Sequence, residues 1–336
     1  TLDRTAPGSV PGLNSIVAIA AGAYHTLALR SDGTVWACGL NNRGQLGDGT
    51  VVNRMQVTPV VDPMDPTMTG LLQNVVAIAA GDNHSVALKG DGTVWAWGAN
   101  NWGQLGDGTT TDSVFPVQVL SGGAPLLNVK RIACGSFHTL ALVETGVVTV
   151  NGKDYSVGTV KAWGWNLFGQ LGYNNAADHS PVPVDVVTAG WALDNIVIDA
   201  NNDTTLGGGY AYSMALRLHV NNAVNPPVVT QIPWTWGRNL VGELGNGGQA
   251  DSRLAVQVSN ANDIRSIAAG RYHGLAMVNP VPHKITGAMT PVAGGLSIVA
   301  SGLDGKGHTV APVAVGKEPD FDELEYVKVV ATPQPG

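Results

Sequence analysis

The sequence predicts an all-β protein, a β-propeller of four-stranded antiparallel blades, and two observations lead to this prediction. Nearly the same 31 residues occur twice, as AAGAYHTLALRSDGTVWACGLNNRGQLGDGT at 20–50 and AAGDNHSVALKGDGTVWAWGANNWGQLGDGT at 79–109. The glycine that opens each copy recurs at positions 22, 81, 135, 209 and 270, at spacings of 59, 54, 74 and 61 residues. A period of this length with strand-like content is typical of propellers and repeat arrays.

Each unit is predicted to contain four short strands. In the second copy, VVAIAAG and SVALK form the first two, and Asp91-Gly92 predicts a tight type I′ turn into the third, TVWAWG. FPVQVL at 115–120 is the fourth, with equivalents at 55–61, 180–187 and 254–259. One such sheet cannot bury both of its faces, whereas sheets stacked radially on their neighbours can.

The repeat elements divide the chain into five units and the start of a sixth, all within one propeller domain over 1–336. The units cover about 13–70, 71–127, 128–190, 191–260 and 261–323, with a partial unit at 324–336. In the fifth unit, 296–315 is interpreted as a shortened third strand, a loop and a fourth strand. Two segments depart from the pattern: 148–158 predicts an extra hairpin, and 219–233 replaces a simple Asp-Gly turn.

Composition narrows the classes of partner. Glycine (44) and proline (19) are abundant, whereas charged residues make up only 13% and the net charge is −7. The chain therefore has no basic field for nucleic acid or anionic lipid, and no apolar run long enough to cross a bilayer.

The chain begins with Thr1, which suggests a processed product or an excerpt. Cys38 and Cys134 are too few for a disulfide framework and are expected to be buried thiols.

The repeated elements resemble those of the regulator of chromosome condensation repeat family. The residues that carry the resemblance are A-G-x-x-H-[ST]-[LV]-A-L, D-G-x-V-W-x-W-G and N-x-x-G-Q-L-G, over about residues 13–315. The resemblance implies a β-propeller, commonly of seven blades, whose ring closes by joining the chain ends. It also implies a protein-binding platform, since some members promote nucleotide exchange on small GTPases and similar secreted bacterial rings inhibit an enzyme.

Most of the candidate chemical groups are expected to be structural. The repeated histidines diverge around a ring, whereas zinc needs three or four ligands at one point, so they are expected to tie turn backbone together. The repeated tryptophans are expected to pack between blades. A calcium site at Asp107 and Asp112 lacks a dedicated set of ligands. We therefore expect no catalytic residue, no cofactor and no metal. The positions concerned are His25, His84, His138 and His273, and Trp36, Trp95, Trp163 and Trp236.

Strand direction predicts where a partner binds. In an antiparallel blade, the turn after the first strand and the loop after the third lie on the same face of the ring. The residues that these loops do not need for turn geometry are rich in aromatic side chains and include an arginine, a composition found at binding hot spots. The predicted partner-binding residues are Tyr24, Arg43, Asn83, Trp102, Phe137, Phe168, Tyr210, Val241 and Tyr272.

The function predicted from the sequence is a non-enzymatic interaction or scaffold propeller that binds a protein partner, or another copy, through this aromatic-rich face. Two alternatives remain open at this point. One is a regulator of a partner enzyme, either a GTPase exchange factor or an inhibitor. The other is a glycan-binding propeller. The expected location is extracellular or at the surface of a bacterial cell, and intracellular if the chain regulates a GTPase.

Overall fold

The computed structural model describes residues 8–65, 70–198 and 205–278, together with the backbone of three short strands in the last part of the chain. The chain divides into two compact units, 1–278 and 279–336. The described residues contain strands and turns but no helix, which confirms the all-β class. The single domain over 1–336 stays a prediction, and the two units are described separately.

The first compact unit repeats one sheet, in which four consecutive strands pair antiparallel in chain order. The first sheet contains β1 Ile16–Ala21, β2 His25–Arg30, β3 Val35–Gly39 and β4 Arg54–Pro59. The second contains β5 Val75–Ala80, β6 His84–Lys89, β7 Val94–Gly98 and β8 Ser113–Gln118. A small hairpin follows, with β9 Leu120–Ser121 and β10 Ala124–Pro125.

The third and fourth sheets repeat this order with longer central strands. The third contains β11 Val129–Cys134, β12 His138–Val150, β13 Lys153–Trp165 and β14 His179–Asp185, and is followed by β15 Ile196–Val197. The fourth contains β16 Leu206–Gly208, β17 Tyr212–Asn221, β18 Val228–Gly237 and β19 Ser252–Gln257. A fifth sheet begins with β20 Ile264–Ala269 and β21 Gly274–Val278. The sheets therefore fall within the predicted repeat units.

The hydrophobic core lies between consecutive sheets. Leu27 of the first sheet packs with Ala87 and Trp97 of the second. The same arrangement joins the second sheet to the third, the third to the fourth and the fourth to the fifth. The second, third and fourth sheets therefore each bury their two faces against two neighbouring sheets, as the repeat pattern predicts.

Two predicted details are wrong. The Asp-Gly turns are not type I′, because Gly33 and Gly92 have positive φ whereas the aspartates before them do not. Each turn is a longer hairpin loop that ends in a left-handed glycine, and Asp91 accepts hydrogen bonds from the backbone and the hydroxyl of Thr93. Cys38 is half-buried rather than buried, as is the other free thiol, Cys134.

The two insertions form one additional layer. The predicted hairpin at 148–158 extends β12 and β13, and the segment at 219–233 extends β17 and β18. Strand β15 pairs with both extended hairpins, so the third and fourth sheets join into a nine-stranded sheet. Val157, Val197 and Leu218 form the small core of this layer. The insertions therefore couple two repeat units.

The second compact unit contains β22 Met289–Val292, β23 Gly295–Ile298 and β24 Val313–Ala314, paired antiparallel in that order. The last two lie where the third and fourth strands of the fifth unit are predicted. The predicted loop between them and the partial unit at 324–336 lie outside the described residues.

Among the described residues, no helix has the length and hydrophobicity of a transmembrane span.

Candidate protein-binding face

Three of the four repeated histidines, His25, His84 and His138, each connect their sheet to the next, whereas His273 is exposed. His84 Nε2 lies 3.1 Å from the Thr139 hydroxyl, which itself donates to the Gln104 carbonyl at 2.9 Å. Because the hydroxyl has a single hydrogen and donates it to the carbonyl, the imidazole must be the donor to the hydroxyl, which assigns the neutral Nε2–H tautomer. The same relay runs from His25 through Ser85 and from His138 through Ser213.

The expectation that these histidines are structural agrees with this geometry, but their expected partner is wrong. The Nε2–H bond goes to a side-chain hydroxyl on the next sheet and not to turn backbone. The glycine of the motif lies against its own histidine ring: a Cβ on Gly81 would meet His84 Cε1 at 2.1 Å and the Gly135 carbonyl oxygen at 2.7 Å. The A-G-x-x-H motif is therefore a contact between units.

Burial holds these imidazoles in the neutral form. Desolvation lowers the pKa of His25 to about 4 and that of His84 and His138 to about 3. In the unfolded chain the same groups titrate near their ordinary pKa of about 6.5.

We therefore expect stability to fall as the pH is lowered from about 6.5 toward 4. In this window the unfolded state binds protons that the folded state excludes, so each histidine costs about 1.4 kcal/mol per pH unit. Urea unfolding between pH 7 and 5 measures the slope. His84→Gln should reduce it, whereas His219→Gln, a change at an exposed histidine, should leave it unchanged. Equal slopes for wild type and His84→Gln would contradict this account.

Buried tryptophans bind the same glutamine carbonyls that accept the hydroxyl hydrogen bonds, but from a different repeat position than predicted. The Nε1–H groups of Trp97, Trp163 and Trp236 each donate at 2.9 Å to the glutamine carbonyl of the preceding unit. Trp163 and Trp236 are thus equivalent to Trp97, and the prediction that they share a repeat position with Trp36 and Trp95 is wrong. Cys38 occupies this position in the first unit.

The N-x-x-G-Q-L-G loop is shaped by a buried asparagine and a glutamine. Asn100 Oδ1 accepts from the Leu105 backbone N–H, while its amide donates to Asp107 and to the carbonyls of Thr109 and Thr111. Gln104 Oε1 accepts the backbone N–H of the loop tip, Trp102, at 2.9 Å. The variable tip residue is thus held on a fixed loop, as at positions 43, 168 and 241.

No cation site is found here. Asp107 and Asp112 both follow this loop, and both accept a hydrogen bond from Asn100, Asp107 from its side-chain amide and Asp112 from its backbone N–H. Asp112 also pairs with Arg43 at 3.1 Å. Within the described residues, no group of three or more His, Cys, Asp or Glu side chains could hold a metal ion.

None of the nine predicted partner-binding residues is fully buried. Tyr24, Val241 and Tyr272 are exposed, at 74%, 61% and 44% of their surface. The other six, Arg43, Asn83, Trp102, Phe137, Phe168 and Tyr210, are half-buried. The role of the set in binding stays a prediction.

Five of the nine lie in one network of aromatic rings. Trp165 is its centre, with ring centroids 5.5 Å from Phe168, 5.7 Å from Phe137, 5.8 Å from Tyr210 and 6.1 Å from Trp102. Tyr210 continues the network to Tyr272 at 5.6 Å. We call these six residues the aromatic network.

The structure leaves the other four residues outside the network. Arg43 hydrogen-bonds Asn101 in addition to its ion pair with Asp112, so its charge is compensated. Asn83 accepts a hydrogen bond from Gln45 Nε2 at 3.3 Å. Tyr24 and Val241 extend from their loops as exposed side chains.

Sequence reasoning missed Trp165, although a signal for it was present. Trp165 follows Gly164, whose φ of +104° is close to the values of +111°, +104° and +107° at Gly39, Gly98 and Gly237. Aligning these glycines puts Trp165 in a column with Leu40, Ala99 and Arg238. Assigning Trp163 and Trp236 to the wrong repeat position concealed this column, in which each of the first four units has a different residue.

Two arginines at the edge of the network were also missed. Arg238 lies 5.3 Å from the Tyr272 ring centroid and forms an ion pair with the buried Glu243. Glu243 also accepts the Val241 backbone N–H, the bond that glutamine accepts in the other units. Arg271 lies 5.2 Å from the Tyr210 ring. Arginine stacked on aromatic rings adds cation–π attraction to this edge.

Repeated four-stranded antiparallel sheets, joined by His–hydroxyl–carbonyl contacts and bearing variable loops on one face, define a repeat β-propeller. The chain belongs to the regulator of chromosome condensation (RCC1) repeat family. One model of this repeat matches residues 32–88, 91–142 and 234–277, and a second matches 16–45 and 75–104.

Relatives and solved structures support this assignment. The chain is 30% identical to the ultraviolet-B receptor UVR8 of Arabidopsis thaliana over 261 residues, which are 77% of this chain and 50% of the receptor. It is 36% identical to the E3 ubiquitin-protein ligase HERC2 of Homo sapiens over 281 residues, 82% of this chain and 5% of the ligase. Human WBSCR16 shares the fold, with a TM-score of 0.58 at 22% identity over 79% of this chain and 58% of that chain.

The chain thus spans half of one relative and a small part of the other. Both relatives are eukaryotic, so they give no support to the expected bacterial source and extracellular location. Those expectations stay predictions.

Proposed function

We propose that this chain is a non-enzymatic binding module that takes a protein partner, or a second copy of itself, on the face containing the aromatic network. The single observation that carries the proposal is the network itself. Aromatic rings from four units, the second to the fifth, lie together. Trp102 and Phe168 stand on loops fixed by buried asparagine and glutamine, so little side-chain freedom is lost there on binding.

The exposed loop tips favour the third and fourth units as the centre of the proposed interface. The third unit presents Leu167, 54% exposed, and the fourth presents Leu240 and Val241, 64% and 61% exposed. The corresponding tips of the first two units start with Asn42 and Asn101. An apolar centre with a polar surround is the usual anatomy of a protein interface.

We expect Tyr272→Ala/Leu240→Ala to abolish capture of a partner that the wild-type chain retains from extracts of its source cells. Both side chains are exposed, so their removal should leave the fold intact. The matched control is Tyr24→Ala, which removes an exposed tyrosine at the same repeat position as Tyr272, outside the network. Capture by mass spectrometry and self-association by sedimentation measure the two forms of the proposal. Equal binding by wild type and the double variant would overturn it.

The same experiment separates more specific functions. A captured small GTPase whose nucleotide exchange accelerates would identify an exchange factor, and a captured enzyme that loses activity would identify an inhibitor.

The relation to an ultraviolet-B receptor makes light perception a second candidate, favoured by the 6.1 Å contact between Trp102 and Trp165. Repeating the sedimentation after ultraviolet irradiation tests it.

A further inference from the structure

A second aromatic site lies at the fourth sheet and shares no residue with the aromatic network. In the first two units, the cation that ends the second strand covers a tryptophan of the third strand: Arg30 lies 4.1 Å from the Trp36 ring, and Lys89 lies 4.8 Å from the Trp95 ring. The first two units therefore share this pair, whereas the third has Val143 and Lys161 at these positions.

The fourth unit breaks this pattern. Its equivalent cation, Arg217, lies 4.6 Å from the ring of Trp191, which comes from the connection between the third and fourth sheets. Trp234, the equivalent of Trp36, contacts Trp191 edge to face, with centroids 5.6 Å apart. Trp191 is 45% exposed, and Trp234 lines an open cleft.

Each tryptophan of this pair lines a cleft of its own. The Trp234 cleft has a volume of about 260 Å³ and is lined by Arg217, His219, Ile232, Trp234, Gln257 and Asn262. The Trp191 cleft has a volume of about 540 Å³, and Asn174 and Thr188 are among its polar lining residues. Ordinary ligand pockets range over about 300–1,000 Å³. The smaller cleft therefore fits one ring-sized group, and the larger one has room for a second group.

The charges of the site favour a neutral ligand. The Arg217 guanidinium donates to the Asp194 carboxylate at 3.0 Å and to the Asp194 carbonyl at 3.1 Å, so its charge is compensated. The remaining polar groups of the Trp234 cleft are two amides, Gln257 and Asn262, and an imidazole, His219. Amides both donate and accept, which matches hydroxyl groups better than it matches an anion.

From this arrangement we propose that the paired clefts bind a neutral saccharide. One sugar ring lies with its apolar C–H face on Trp234, while Gln257, Asn262 and His219 bond its hydroxyls. A linked sugar extends over Trp191. An apolar wall with a few placed polar groups is the general form of a small-molecule site. The glycan alternative raised by the sequence thus acquires a site away from the aromatic network.

The test titrates the full chain by calorimetry with three neutral tetrasaccharides, cellotetraose, maltotetraose and chitotetraose. Adenosine and a galacturonic acid tetramer are titrated in the same way, as representatives of aromatic and acidic ligands. We expect saturable binding of at least one neutral tetrasaccharide. Trp191→Ala and Gln257→Ala/Asn262→Ala should each weaken it by about tenfold or more. These side chains are exposed, so both variants should fold, which their circular dichroism checks.

Trp36→Ala is the matched control, because it removes the equivalent tryptophan from a unit whose cation covers it. It should bind like the wild type, as should Trp102→Ala in the aromatic network. Binding of none of the three neutral probes, equal binding by Trp191→Ala and wild type, or preference for adenosine or the acidic tetramer would each overturn the proposal.

Discussion

Trp163→Ala is expected to lower the free energy of unfolding by roughly 3–5 kcal/mol, the usual cost of removing a large side chain from a core. Trp163 is fully buried between the second and third sheets, where it packs with Val86, Leu105 and Ala141. Its indole also donates to the Gln104 carbonyl at 2.9 Å. The substitution removes both the packing and a bond between units.

Urea unfolding followed by circular dichroism measures this loss, with Trp36→Ala as the control. Trp36 is half-buried under Arg30, and removing it should cost about 1 kcal/mol, the centre of the usual range for single substitutions. Repeat arrays can unfold in steps, so the slope of each transition should be compared as well. If Trp163→Ala lowers the free energy of unfolding by no more than Trp36→Ala, the indole of Trp163 does not stabilise the contact between the sheets.

Gly164→Ala is the second large expected effect, at about 3 kcal/mol or more, because backbone strain and a steric clash add. Gly164 has a φ of +104°, which L side chains rarely adopt. A Cβ there would meet the Phe137 carbonyl oxygen at 2.6 Å and His138 Cα at 2.8 Å. Since Phe137 and Trp165 flank this contact, partner binding should weaken too.

Gly108→Ala is the control that separates strain from clash. Gly108 also has positive φ, at +87°, but an added Cβ would have no neighbour within 4 Å. It should therefore lose only the conformational part, about 1 kcal/mol. Thermal unfolding of both variants measures the difference. Equal losses would show that the close approach of backbone at Gly164 contributes nothing.

Much of the fold could be predicted because the determinants of a repeat unit are local. Strand pattern, turn glycines and the spacing of the loops recur in each copy, so the strands and the shared face of two loops follow from the sequence. The turn type was wrong because it depends on a single extra loop residue. The repeat position of Trp163 and Trp236 was wrong because W-x-W-G contains two tryptophans, and only the packing shows which of them contacts the preceding unit.

The candidate site was predicted in part for the same reason. Five residues chosen by position, among them Trp102 and Tyr272, do lie in one ring network. Aligned glycines put Trp165 at a variable position, but the sequence could not show that its ring contacts four others, nor that Arg43 is paired with Asp112 of the next unit.

The sequence by itself thus determined an all-β repeat protein, the strands of each sheet and the face on which the variable loops lie, since hydrogen bonding and apolar alternation within one unit encode them. Only the tertiary structure decided which side chains of different units touch. It joined the two insertions into one layer and brought Trp191 against Trp234. Such contacts depend on how neighbouring sheets stack and which rotamers fit between them, and no local pattern records either.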